Sequence, residues 1–392
     1  MVRVEQVLTR RSFLAGAAAA AAAGVLVRVP GAGAGVPGVP LWREAARRGL
    51  VYGTSTATWQ ISDAAYARLV AREAAIVWTE DDLLWYRLKP TPQSDLDFSY
   101  GDQIMAFAEQ NGQLVFGGPG LVWDAGFGDG WTDHDIWGLS EPAARRLLFG
   151  TLESVVQHYR GRVAAWVVVN EVIDAYGPAG LRTDFPWYQT IGPEFIGESF
   201  HIAHDQDPNA LLFLNEFGFE YDNQYGDKAV DKQRAVLRVL DRLLARNVPV
   251  HALGVEAHLE ANLFGGFDAR GYRRFLREVA ARGLKIAITE LDVLDDGLPP
   301  NKTIRDRAVA DIYRRYLDVA LAEPAVIAAL TFGLSDRYTW LQEDYPRDDG
   351  APRRPLPFDD QLQPKPAYHA LDAALDSAPR RELYWRIPRS GR

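Results

Sequence analysis

Ala165-Trp166-Val167-Val168-Val169-Asn170-Glu171 is a short apolar run that stops abruptly at an amide and an acid, and Lys285-Ile286-Ala287-Ile288-Thr289-Glu290 repeats the plan. A brief run rich in β-branched residues, without polar alternation, suits a strand buried on both faces. Six more such runs are Val51–Thr54, Ala75–Thr79, Leu114–Phe116, Leu211–Leu214, Gly254–Ala257 and Ala328–Phe332. Between most of them lie amphipathic helical patterns, among them Arg234–Arg246, Ala269–Arg282 and Arg305–Leu321. Strands that alternate with helices predict a parallel sheet. An open doubly wound sheet and a closed barrel both fit that alternation. Eight units spread over roughly 330 residues favour the α/β class in its (β/α)8 form, a TIM barrel built as a single domain.

The ends read differently. Thr9-Arg10-Arg11-Ser12-Phe13-Leu14 is a twin-arginine export pattern, followed by an alanine-rich apolar run from Ala15 to Val27 that is too short for a membrane span. Ala32-Gly33-Ala34 offers a cleavage site. The expected organisation is a signal peptide over 1–34, a Gly/Pro/Val linker over 35–45, the catalytic barrel over 46–376 and a solvated, arginine-rich tail over 377–392. Export to the periplasm or the medium as a monomer is expected, with no membrane attachment after cleavage. The chain has 392 residues, 47% of them hydrophobic, which suffices for one large core. A net charge of -9 argues against a nucleic-acid partner. With no cysteine, disulfides and thiolate metal sites are excluded. No cofactor and no metal are called for. His201 and His204, with Asp205 and Asp207, sit near a helix end and read as ordinary surface chemistry.

In such a barrel the working residues stand at the C-terminal ends of strands. Reading those ends gives Asn170-Glu171, Asn215-Glu216, Glu256-Ala257-His258 and Glu290 with Asp292. Buried acids are costly unless they have a task, so four successive strand ends with carboxylates or an imidazole point to chemistry. Strands four and seven face each other across an eight-stranded barrel. Glu171 and Glu290 are therefore the candidate pair for cleavage of a glycosidic bond, one protonating the leaving oxygen and the other attacking the anomeric carbon.

Trp166-Val167-Val168-Val169-Asn170-Glu171 resembles the WDVVNE motif of glycoside hydrolase family 10, the endo-β-1,4-xylanases, and Ile288-Thr289-Glu290-Leu291-Asp292 matches that family's ITELD. The resemblance runs from about Val51 to Tyr368 and includes Asp207-Pro208-Asn209-Ala210, Ser335-Asp336-Arg337-Tyr338-Thr339-Trp340 and Leu362-Gln363-Pro364-Lys365-Pro366-Ala367-Tyr368. It implies a retaining endo-acting hydrolase of xylan-type polysaccharide or oligosaccharide. Glu171 would be the acid/base and Glu290 the nucleophile, supported by Asn170, His258 and Asp292. Glu80, Asp81, Trp123, Glu256, Phe332 and Trp340 would contact the sugar.

Departures cluster on the glycone side. Leu84 stands where the family has a lysine, Pro119 where it has a histidine, Glu256 for glutamine, Phe332 for tryptophan, and Phe217-Gly218 for Tyr-Asn. They motivate an alternative: the same mechanism on a different or acid-decorated β-glycoside, with Arg87 or Lys89 meeting the acid. A non-catalytic carbohydrate-binding barrel is a third reading, and the intact acid pair argues against it.

Overall fold

The computed structural model describes residues 38–388. The signal read over 1–34 and the first part of the linker lie outside the described residues. Eight strands form the barrel: β1 (Val51–Ser55), β2 (Ile76–Trp78), β3 (Leu114–Gly117), β4 (Ala165–Asn170), β5 (Leu211–Glu216), β6 (Ala252–Val255), β7 (Lys285–Leu294) and β8 (Val326–Thr331). Each pairs in parallel with its sequence neighbours, and β1 also pairs with β8, Val51 opposite Ala328, which closes the ring. The chain therefore has the (β/α)8 fold that the alternation of strands and helices implied.

Burial explains the apolar runs. On β4, Ala165 and Val167 join a cluster inside the barrel, whereas Trp166 and Val168 join the larger cluster beneath the helices. On β5, Phe213 faces in and Leu212 faces out by the same rule. Both faces are covered, so no position on these strands favours a polar residue until the strand ends.

The two chain ends correct the expected organisation. Leu41–Arg47 is a helix that begins inside the stretch read as linker and runs past its end into the expected barrel, with Leu41 and Ala45 fully buried. The Leu41 amide donates to Glu73 Oε2 at 2.9 Å. The tail is not a solvated end in its described part: Ile387 is fully buried in the inner cluster with Trp42, beside the first residues of several strands. Arg381 donates to the carbonyls of Glu323 and Val326 at 2.7 and 2.6 Å. Together the two ends stopper the bottom of the barrel. Composition misled here, because an arginine that satisfies strand-end carbonyls reads in sequence like a solvated one.

Candidate active site

Three of the non-glycine residues with left-handed backbone stand just beyond strand ends on the same rim: Glu80 (φ 32) after β2, Glu171 (φ 54) after β4 and Ala257 (φ 60) after β6. Such conformations are strained for residues with a Cβ and concentrate where a side chain must be aimed.

β7 shows how Glu290 is aimed. Its register against β8 shifts between Ile288 and Leu291. The irregularity lets consecutive residues reach one partner: Thr289 Oγ1 donates to Asn215 Oδ1 at 2.8 Å, and Asn215 Nδ2 donates to Glu290 Oε1 at 2.9 Å. The same Asn215 amide faces Asn170 Oδ1 at 2.9 Å and Glu256 Oε1 at 3.2 Å. Asn215 is thus the hub of the site. The signal was visible, since Asn215-Glu216 ends β5 as Asn170-Glu171 ends β4, but the acid beside it drew the attention. Glu216 itself turns away, paired with Lys232 at 2.8 Å and capping the Ile173 amide at 2.7 Å.

His258 arrives on a short strand, His258–Glu260, that pairs with the end of β7 with His258 opposite Asp292. The expected sixth strand, Gly254–Ala257, instead runs over Ala252–Val255, and Ala257 turns the chain into the separate short strand at His258. That register sets His258 Nδ1 2.9 Å from Asp292 Oδ1 and Nε2 3.4 Å from Glu290 Oε2. Trp340 Nε1 donates to the other Asp292 oxygen at 2.7 Å. The Phe332 and Trp340 rings meet the imidazole edge-on at 5.4 and 5.2 Å. Burial pulls the imidazole down, but Asp292 and Glu290 outweigh it and hold His258 well above its usual range. The ligand atoms of Glu256, His258 and Glu290 lie within 4.8 Å of one another. A cation there would have to displace the proton that Asp292 and Glu290 favour on His258.

Across the mouth, the chain after β3 returns alongside β4. Val122 bridges Val169, and the Asn170 amide donates to the Val122 carbonyl at 3.0 Å. Gly120 permits this approach: it has φ 144, and a Cβ there would stand 2.8 Å from Asn170 Cβ. The return delivers Trp123, whose Nε1 donates to Glu171 Oε2 at 3.1 Å. Arg182 braces the same residue, donating to the Glu171 carbonyl at 2.9 Å while paired with Asp124 at 2.5 Å.

Glu80 and Asp81 close one wall. Ser55 Oγ and Gln60 Nε2 donate to Glu80 at 2.7 and 3.2 Å, and Trp59 Nε1 donates to Asp81 at 2.9 Å. Both acids line a pocket with Leu84, Tyr86, Pro119, Trp123, Phe127, Phe332 and Trp340. Tyr86 and Phe127 were not anticipated as part of it. Arg87 does not line this pocket; its guanidinium lies over the Tyr100 ring at 4.2 Å. Lys89 Nζ is hydrogen-bonded to the Ser94 carbonyl. Arg87 also interacts with Tyr86 and Asp81, which do line the pocket, whereas Lys89 is engaged away from it.

The placement and burial of these acids at the mouth of a closed parallel barrel define the class: a (β/α)8 glycoside hydrolase. The profile described as glycosyl hydrolase family 10 matches residues 41–374. Endo-1,4-beta-xylanase B of Thermotoga neapolitana is 29% identical over 321 residues, which is 81% of this chain and 86% of that one. Among solved structures, native xylanase 10B from Thermotoga maritima matches with a TM-score of 0.75 and 29% identity, covering 86% of this chain and 98% of that one. Xylanase 10B from Thermotoga petrophila RKU-1 in complex with xylobiose gives a TM-score of 0.75 at 28% identity over 87% and 98% of the two chains. The chain belongs to glycosyl hydrolase family 10.

Proposed function

We propose that the protein is a retaining, endo-acting hydrolase of β-1,4-xylosidic bonds in xylan-type polysaccharides, with Glu290 as nucleophile and Glu171 as acid/base. The observation that carries the assignment is the unequal wiring of the two acids. Glu290 is gripped on one oxygen by Asn215 at 2.9 Å and approached on the other by His258 at 3.4 Å. Such fixing suits a group that must form a covalent bond at a set angle. Glu171 receives an indole N–H at 3.1 Å, a contact available to either protonation state. In the first step a Glu290 oxygen bonds to the anomeric carbon as the glycosidic C–O bond breaks, and the Glu171 proton goes to the leaving oxygen. In the second, Glu171 takes a proton from water, the water oxygen bonds to the anomeric carbon, and Glu290 is released.

The test is trapping with a 2-fluoro activated β-xylobioside. Peptide mass spectrometry should find the sugar on Glu290, and NMR of early products should show β-xylose ends. Inverted products, or a label on another residue, would overturn the assignment. The twin-arginine pattern at Thr9–Leu14 supports export of the already folded enzyme.

A further inference from the structure

Glu256 poses a charge problem that the reaction above does not need. It is buried to 2% exposure, beside Glu290 at 1% and Asp292 at 1%. One cation, His258, stands among these three carboxyls. Its Nδ1 is 2.9 Å from Asp292 and its Nε2 is 3.4 Å from Glu290, but it is 3.8 Å from Glu256. The Asn215 amide has two hydrogens and faces three acceptors, and the longest of the three contacts, 3.2 Å, is the one to Glu256. Trp340 serves Asp292. Like charges at such separations cannot all persist out of water, and a proton settles where donors are weakest. By each of these distances that place is Glu256.

We propose that Glu256 is a positioning residue that works as a neutral carboxylic acid, supplying beside the nucleophile the donor and acceptor that a carboxamide would supply. A protonated carboxyl offers one O–H donor and a carbonyl acceptor, and an amide offers the same pair with one hydrogen more. The inference rests on the reading of Glu290 as the nucleophile. Burial first, then the carboxyl groups of Glu290, Glu171 and Glu216, hold Glu256 well above the usual carboxylate range, with His258 opposing them. The charged groups facing it come from four directions: Glu171 after β4, Glu216 with its Lys232 partner from β5, His258 on its own segment, and Glu290 with Asp292 on β7. When Glu256 loses its proton, the centre gains a second uncompensated negative charge against Glu290, and the donor beside the sugar is lost. Activity should then fail on the alkaline side through Glu256, before any amide-bearing version of the site would fail.

The experiment is the pH profile of kcat/KM on a dinitrophenyl β-xylobioside, whose leaving group departs without the Glu171 proton, for the wild-type protein, Glu256→Gln and Glu256→Ala. It is paired with NMR titration of isotope-labelled glutamate carboxyls, the Glu256 signal being the one missing from Glu256→Gln. Glu256→Ala should lose about tenfold near the optimum, the scale of one hydrogen bond. Glu256→Gln should recover most of that loss at acid pH and move the alkaline limb up by about one pH unit or more. The Glu256 signal should titrate far above an ordinary glutamate. A Gln variant as impaired as Ala at acid pH, an unmoved alkaline limb, or a Glu256 signal that titrates in the usual carboxylate range would each overturn the proposal. A fluoro-sugar label on a residue other than Glu290 would sink the assignment of the nucleophile instead, and the NMR titration would still decide the protonation of Glu256.

Discussion

Two parts of one barrel mouth are built on opposite principles. Around Glu290 the side chains form a buried polar web in which Asn215 alone touches Thr289, Glu290, Asn170 and Glu256. Farther along the rim, the pocket wall at Leu84, Pro119, Phe127 and Phe332 is apolar and held by packing. A buried hydrogen-bond web tolerates one geometry, and loss of a member leaves others unsatisfied. An apolar wall constrains volume but discriminates weakly between hydroxyl patterns. The two regions should therefore respond to substitution on very different scales.

The largest effect belongs to the acids. Glu290→Ala should lower kcat by about 10⁵-fold, as removal of a nucleophile does elsewhere. Azide should rescue the variant by forming the α-glycosyl azide from a β-linked substrate. Glu171→Ala should cost about 10²–10⁴-fold on substrates with poor leaving groups and far less on activated aryl glycosides. If both variants turned over xylohexaose at near-normal rates, the polar web would not be the catalytic centre.

Next comes the hub. Asn215→Ala keeps both acids but frees Glu290 to drift, and a misplacement of about 1 Å can cost on the order of 10²-fold in rate. The loss should appear in kcat more than in KM, because the sugar wall is untouched. A loss confined to KM would mean that Asn215 serves binding and that the two regions are not separable.

What was legible in sequence follows the same division. Strand runs and terminal acids could be read because a strand covered on both faces admits few polar residues, so Glu171 and Glu290 stood out. The role of Asn215 could not be weighed, since an amide is unremarkable until its four neighbours are in place. The short strand at His258–Glu260 and the shift of register on β7 leave no mark on periodicity. At the chain ends, Leu41 and Ile387 read as linker and tail because the apolar residues around them form runs too short to show a helical or strand period.

Buried acids also carry a pH cost. Glu220, buried after β5 behind His258, is pushed up to about 7 from an ordinary 4.5, burial outweighing the pull of the Phe219 amide. The folded state therefore keeps a proton that the unfolded chain releases, and stability falls as pH rises from the unfolded value through the folded one. A shift of that size corresponds to about 3 kcal/mol. Glu220→Gln should remove this slope, so its stability relative to wild type should rise between about pH 4 and pH 8. Asp82, also pushed up to about 7, leaves a slope of the same sign in the variant. Urea unfolding at both pH values measures the difference, and an equal offset at the two would show that Glu220 titrates alike in both states.

The smallest effect is expected at the wall itself. Leu84 is buried to 8% exposure, and its Cδ2 lies so close to Gly126 that a Cβ there would meet it at 2.8 Å. Leu84→Lys introduces the residue type that the family resemblance implies at this position, yet it places an ammonium where the nearby acids already have partners: Glu80 accepts from Ser55 and Gln60, and Asp81 from Trp59. Pro119 cannot supply the side-chain donor or acceptor that a histidine would. The long side chain can instead thread its head toward solvent, as buried lysines commonly do. The charge then contributes a surface-scale interaction, under about 1 kcal/mol, and kcat/KM on xylohexaose should change by less than about fivefold. A gain of a hundredfold would break the comparison from the other side. It would mean that Glu80 and Asp81 exchange their present partners for the lysine and the sugar, and that the wall is a polar site lacking one charge.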